Sequence, residues 1–285
     1  MGGIVMKFYR DLFNFETLAS VQPTFITIGT FDGVHKGHQQ LITKVVKEAK
    51  KNQGLSIAIT FDPLPKMFFS NKPIRLTSPQ MRAERISSLG IDILIEYTFD
   101  EYFSKRSASD FLEKILLGCN PRKIWIGKDF RFGYKGTGDA SLLKQAGLQN
   151  GFETEVVNFV HLKGGRISST RVRQAIACGD MGLAAELMGS DHAVGGWMKQ
   201  TKKGQDHLMS TEEVILPPTG FYDVNIRSRQ QHVYSGPIGF DHDQKEIYFV
   251  PNARNLEIHQ PVTVSFAECL SIRDFSKKEP SFLYR

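Results

Sequence analysis

The sequence predicts an α/β domain built on a parallel sheet, residues 1–189, followed by a small antiparallel β-barrel or sandwich, residues 190–285. Three observations predict it. From Thr24 to about Gly189, apolar β-branched runs alternate with segments of helical periodicity. One passage, Thr24 to Leu41, runs from strand through a glycine-bearing turn into a helix. From Pro218 onward the period becomes two: Tyr222, Val224 and Ile226, then Ile247 with Phe249, then Val262, Val264 and Phe266.

In chain order, Phe25 to Ile28 is the first strand, Gly29 breaks it, and from His38 to about Asn52 Leu41, Ile42, Val45, Val46 and Ala49 fall at helical spacing. Gly54 ends that helix, and Leu55 to Phe61 reads as a second, parallel strand, because a strand–helix–strand unit of this length makes a right-handed crossover. The prolines of Asp62-Pro63-Leu64-Pro65 suggest a stiff connector. Thr77, Pro79 and Gly90 bracket a helix, and strand Ile91 to Tyr97 follows. Ser107 and Asp110 look like a capping box for a helix Ala108 to Leu117, before strand Lys123 to Gly127. Helix Asp139 to Gln149, strand Phe152 to Val157, a helix ending at Cys178 and another from Asp180 to Met188 complete the alternation. Residues 190–213 are polar, rich in Gly and Lys, and read as a linker.

With 285 residues, 41% of them hydrophobic and 23% charged, the chain has the makings of an ordinary globular protein with a large core. Cys119, Cys178 and Cys269 are too scattered for a metal pattern, which fits a reduced, intracellular setting. No apolar run approaches a membrane span and the start lacks the apolar core of a secretory signal, so the expected location is cytoplasmic, with no membrane partner. A net charge of +6 favours anionic partners, but Lys and Arg alternate with acids and form no block, so nucleic acid is not indicated. Nothing in the chain decides against a homo-oligomer.

The turn after the first strand, Gly29-Thr30-Phe31-Asp32-Gly33-Val34-His35-Lys36-Gly37-His38, aims backbone N–H groups and a helix N-terminus at whatever lies above the strand, and the default ligand there is a phosphate. His35 and His38 stand one helical turn apart with Gly37 between them, so both imidazoles can donate to one polyphosphate. A capping histidine beside a surface one is the alternative. A zinc site lacks further ligands nearby. Two other stretches carry chemistry. Gly127 to Asp139 interleaves glycines with Phe130, Phe132 and Tyr134, offering close backbone approach and flat apolar faces, although each phenylalanine also suits the core. Ser168, Ser169 and Thr170 open a helix and Arg171 and Arg173 follow, more hydroxyls and guanidinium groups than capping needs.

GTFDGVHKGH resembles the HxGH signature of the nucleotidylyltransferases, and in its longer form that of bacterial FAD synthetase, the FMN adenylyltransferase half of the bifunctional riboflavin kinase/FAD synthetase family. The resemblance covers residues from about 20 to 190 and implies a Rossmann-like nucleotidylyltransferase domain. It implies that AMP passes from ATP to FMN, giving FAD, with Mg²⁺ bridging phosphate oxygens. His35 and His38 would steady the α- and β-phosphates, and Gly29, Thr30, Phe31, Asp32 and Gly37 would line the nucleotide site. TFDPLP resembles the TFDPHP element on the flavin side, which implicates Asp62, Pro63 and Pro65, with Leu64 where the family has histidine. Gly127 to Gly133 resembles GxDFxFG, implicating Asp129, Phe130 and Phe132 in flavin binding. ISSTRVR resembles ISSTxIR, so Ser168, Ser169 and Thr170 would line the triphosphate and Arg173 would offset transition-state charge, with Arg171 peripheral.

In the bifunctional family the second domain is a riboflavin kinase barrel with a PTAN element for Mg²⁺ and ATP. LPPTGFYDVNI resembles the strand just downstream of PTAN, and Glu246 loosely matches the kinase glutamate, but no PTAN precedes them. A barrel without kinase activity is expected. The rivals are transfer to another phosphorylated acceptor and a flavin- or nucleotide-binding regulator that no longer catalyses.

Overall fold

A computed structural model of the chain describes residues 6–12, 22–70, 75–200, 206–210, 213–228, 233–243, 246–249 and 261–272. Two compact units emerge: Met1–Lys72 with Pro79–Ile167, and Pro73–Ser78 with Ser168–Arg285.

The first unit holds strands β1 (Lys7–Arg10), β2 (Thr24–Ile28), β3 (Leu55–Asp62), β4 (Ile93–Thr98), β5 (Pro121–Gly127) and β6 (Glu153–Val157), arranged β1-β4-β3-β2-β5-β6. Every pairing is parallel, as expected for strands joined by helical crossovers. Its helices are α1 (Lys36–Lys51), α2 (Pro65–Ser70), α3 (Pro79–Ser88), α4 (Glu101–Ser104), α5 (Ala108–Phe111) and α6 (Ala140–Asn150). Both sheet faces are covered, so the central strands are apolar on both sides. On one face Phe25, Ala58, Leu94 and Trp125 meet Leu41, Ile42, Val45, Val46 and Ala49 of α1 and Ile86 of α3. On the other, Ile26, Ile28, Ile57, Ile59, Ile93 and Ile95 meet Phe111, Ile115, Leu116 and Leu143. Gly54 is glycine for a packing reason: a Cβ there would lie 2.3 Å from the Pro23 carbonyl oxygen.

A two-stranded hairpin, β7 (His161–Leu162) and β8 (Gly165–Arg166), ends this unit. The second unit begins with α7 (Ser169–Ala177) and α8 (Met181–Met188). Strands β9 (His192–Gln200), β10 (Asp206–Ser210), β11 (Gly220–Ser228), β12 (Val233–Asp241), β13 (Glu246–Phe249) and β14 (Pro261–Ile272) then form a second sheet in the order β10-β9-β14-β11-β12-β13. All its pairings are antiparallel, and the end strands β10 and β13 lie beside each other, curling the sheet towards a barrel. Val262, Val264 and Phe266 are buried while Thr263 and Ser265 are half-buried, the predicted period of two. Tyr222, Val224, Ile226 and Ile247 are buried as well; the side chains of Phe249 and Glu246 lie outside the described residues.

Several expectations need correction. Most of the expected linker 190–213 is strand: β9 pairs with both β10 and β14, so its backbone hydrogen bonds are satisfied despite a Gly- and Lys-rich sequence. The Pro-X-Pro connector turns into α2 at once, with Pro65 in the first helical position, where a missing N–H costs nothing. The helix from Ala108 keeps α-geometry only to Phe111, then widens and finally tightens before Asn120, whose φ is 51°. Composition changes near Gly189, whereas the compact units divide at Ile167/Ser168, since α8 packs on β9 and β14. Among the described residues no helix is long and apolar enough to cross a membrane.

Candidate functional site

The turn at the C-terminal end of β2 is unusual in its backbone. Phe31 has φ 46°, Gly33 76° and Val34 45°, all left-handed; for a β-branched residue such as Val34 that conformation is rare and strained. The chain then straightens at His35, which caps α1: its Nδ1 accepts from the His38 backbone N–H at 3.3 Å. Because Nδ1 accepts, it carries no proton, which places the His35 proton on Nε2 and leaves that atom a donor.

His35 and His38 stack with ring centroids 3.6 Å apart and planes 12° from parallel, and the Phe31 ring stands edge-on to His38 at 5.4 Å. Gly37 makes the stacking feasible, since a Cβ there would lie 3.2 Å from two atoms of the His35 ring. His38 is held well below the usual histidine pKa, first by burial and then by the neighbouring His35. The His38 imidazole is therefore suited to act as a neutral hydrogen-bonding group. The buried His38 Nδ1 has no hydrogen-bond partner among the described residues.

Asp32 is buried within the same turn, and Gly29 and Thr30 lead into it; the Gly29 N–H donates to Ile59 O at 3.1 Å. Asp62 ends the neighbouring strand β3, and its carboxylate lies 4.0 Å from Arg82 of α3. The Asp62–Pro63 peptide is cis, Pro65 starts α2, and the apolar side chain of Leu64 between them is buried. Beyond α2, Phe68, Phe69 and Phe99 meet edge to face, with Phe69 72% exposed.

Of the loop after β5, Asp129 is exposed and pairs with Arg166 of β8, whose guanidinium also lies over the Phe159 ring at 3.5 Å. Phe130 stacks on Phe132 at 5.7 Å. Phe132 itself is buried against Phe111, and Gly138 admits it: a Cβ there would come within 2.5 Å of its ring. Phe132 thus backs Phe130 from the core.

Ser168 caps α7, its Oγ accepting from the Arg171 N–H at 3.3 Å, while Ser169 and Thr170 open the helix and Arg173 stands half-buried one turn on. This segment belongs to the second compact unit, and the histidines to the first. Within the first unit the structure brings together His35, His38, Gly37, Phe31 and Asp32, and separately Phe130 with Phe132.

Sequence reasoning passed over Arg166, Arg82, Arg85 and Glu96. Glu96 offered a signal, as a carboxylate inside the apolar run of β4, a place such a group rarely occupies without a partner. Among the described residues, no group of three or more His, Cys, Asp or Glu side chains is arranged to hold a metal ion.

Residues 18–171 match the model of the family described as FAD synthetase. A bifunctional riboflavin kinase/FMN adenylyltransferase of Buchnera aphidicola subsp. Schizaphis graminum is 39% identical over 195 residues, covering 67% of this chain and 62% of the relative. The protein of the same description from Buchnera aphidicola subsp. Acyrthosiphon pisum is 33% identical over 231 residues, 78% of this chain and 73% of the relative. That of Escherichia coli K12 is 34% identical over 194 residues, 67% and 62%. The match to the first and third of these takes in less than two thirds of their length. A crystal structure described as a macrolide-efflux protein from Streptococcus pneumoniae superposes with a TM-score of 0.82 at 24% identity, covering 97% of this chain and 94% of that one. At that identity the likeness speaks for the fold, a parallel α/β sheet followed by an antiparallel one. With a family match over more than half of its length and relatives above 30% identity, the chain belongs to the FAD synthetase family.

Proposed function

We propose that the chain is an FMN adenylyltransferase. A phosphate oxygen of FMN attacks the α-phosphorus of ATP; the bond from that phosphorus to the α,β-bridging oxygen breaks, pyrophosphate leaves with the electron pair, and FAD remains. The observation that supports this most is the stacked pair His35 and His38 at the start of α1, next to a helix N-terminus. Donors fixed in advance at that place offset the charge that builds on the α- and β-phosphates, with no protein nucleophile.

In this reading Gly29, Thr30, Phe31, Asp32 and Gly37 shape the nucleotide site. Ser168, Ser169, Thr170 and Arg173 supply hydroxyl and guanidinium donors for the triphosphate. Asp62, Pro63, Pro65, Asp129 and Phe130, backed by Phe132, form the flavin side. A Mg²⁺ ion would be held mainly by the phosphate oxygens, in keeping with how few protein ligands this ion needs, and would neutralise part of their charge. The lack of a PTAN element upstream of Leu216 supports a second domain that does not phosphorylate riboflavin.

The test is product analysis after incubation with FMN, ATP and MgCl₂, and in parallel with riboflavin, ATP and MgCl₂. FAD from the first and no FMN from the second is expected. FMN from riboflavin would overturn the kinase part, and no product from either would favour the regulator. Replacing His38 by Ala is expected to lower kcat about a hundredfold; FAD formation at the parental rate would remove that imidazole from the mechanism.

A further inference from the structure

The turn that carries His35 is tied down from behind. On α3, Arg82 Nη1 donates to Thr30 O at 3.3 Å and Arg85 Nη1 donates to Gly33 O at 3.0 Å. The two arginines stand three residues apart and so leave the same helix face. Thr30 O also accepts from Thr60 Oγ1 at 3.2 Å, Phe31 O from the Val34 N–H at 3.0 Å and Val34 O from Gln39 Nε2 at 2.8 Å. The carbonyls of Thr30, Phe31, Gly33 and Val34 thus each have a donor. A carbonyl swung towards a bound polyphosphate would repel it, so fixing these oxygens protects the anion site.

The same turn contains the left-handed Phe31 and Val34, and such strained conformations persist only where their surroundings over-determine them. Arg82 is suited to supply that constraint. Its Nη2 pairs with Glu96 Oε2 at 2.7 Å, both side chains being 3% exposed, and Arg10 Nη2 holds the other Glu96 oxygen at 2.8 Å. The planar guanidinium reaches the Thr30 carbonyl and the Glu96 carboxylate together, which a single ammonium does less well.

We propose that Arg82 and Arg85 are positioning residues for adenylyl transfer: they clamp the strained turn to α3 so that His35 and His38 meet the transition state in register. The proposal rests on the adenylyltransferase reading. Its test uses R82M combined with E96Q, which removes the buried pair without leaving a lone carboxylate, together with R85M and R82K. Steady-state kinetics of FAD formation, corrected for the folded fraction, are read beside amide hydrogen exchange.

The expected result for R82M/E96Q and for R85M is a kcat lowered at least tenfold, with KM for ATP and FMN changed less than threefold. Exchange should quicken in residues 29–35 and stay parental in β3 and β6, and R82K should recover part of the loss. An unchanged kcat with unchanged exchange in the turn would overturn the clamp, as would exchange that rises everywhere alike. If R82M/E96Q does not fold, R85M decides by the same criteria. If the parental chain makes no FAD, the functional reading falls, and localised exchange in the turn still decides whether the arginines hold it.

Discussion

Glycine inside a helix costs about 0.5–1 kcal/mol relative to alanine, yet Gly37 sits in the first turn of α1, where a Cβ would press on the His35 ring at 3.2 Å. Gly37→Ala is therefore expected to leave the unfolding free energy within about 1 kcal/mol of the parent while kcat falls about tenfold, because the ring must shift by a few tenths of an ångström. Urea denaturation beside kinetics checks it; full activity would contradict it. His38 gives a pH prediction. Its folded pKa lies below the unfolded value of about 6.5, so above that pH it makes no pH-dependent difference. As the pH falls, the unfolded chain binds the proton first and stability declines until the folded pKa is passed. NMR titration should put the His38 midpoint below 6.5, and His38→Gln should make the acid-side decline shallower; a midpoint at or above 6.5 would contradict the assignment. The histidine pair was legible because its spacing is local. Arg82, Arg85 and Arg166 were not, because a charged residue on a helix or hairpin looks like a solvated one until the fold brings its acceptor from about fifty residues away, as Arg85 meets Gly33.

Strands β2 to β5 and helix α1 could be read in advance, since burial on two faces leaves continuous apolar runs and burial on one leaves a 3.6-residue stripe. Strand β1 could not: it is an edge strand, exposed for most of its length, whose place is set by pairing with β4. Strand β9 was hidden for a related reason, as backbone pairing to β14 holds a segment whose side chains carry no clear alternation. Glycine-rich loops were visible, but the reason for each glycine was not. Gly133 has φ 73°, and a Cβ there would lie 2.7 Å from the backbone of Ala108 at the start of α5. Gly133→Ala is accordingly expected to destabilise the protein by about 1–3 kcal/mol by forcing the loop off α5. A midpoint in urea unchanged from the parent would show that loop and helix separate freely.

The two-part organisation was also foreseen, though the contacts assign α7 and α8 to the second unit, where α8 packs on β9 and β14 and Gly179 faces Ile272. A chain ended after Gly189 keeps both helices and loses the strands that cover them, exposing Ala184, Leu187 and Met188, now buried. It is expected to melt at a lower temperature, to bind a hydrophobic dye and to lose FAD formation, because ISSTRVR would sit on an unsupported helix. Melting and activity equal to the full chain would instead make the second sheet dispensable. Adenylyl transfer to FMN is tested most directly by supplying the full chain with FMN and ATP labelled at the α-phosphate, then following the label. The label is expected in FAD, with one pyrophosphate released for each FAD formed; label remaining in ATP, or passing to another acceptor while FMN is untouched, would refute adenylyl transfer to FMN.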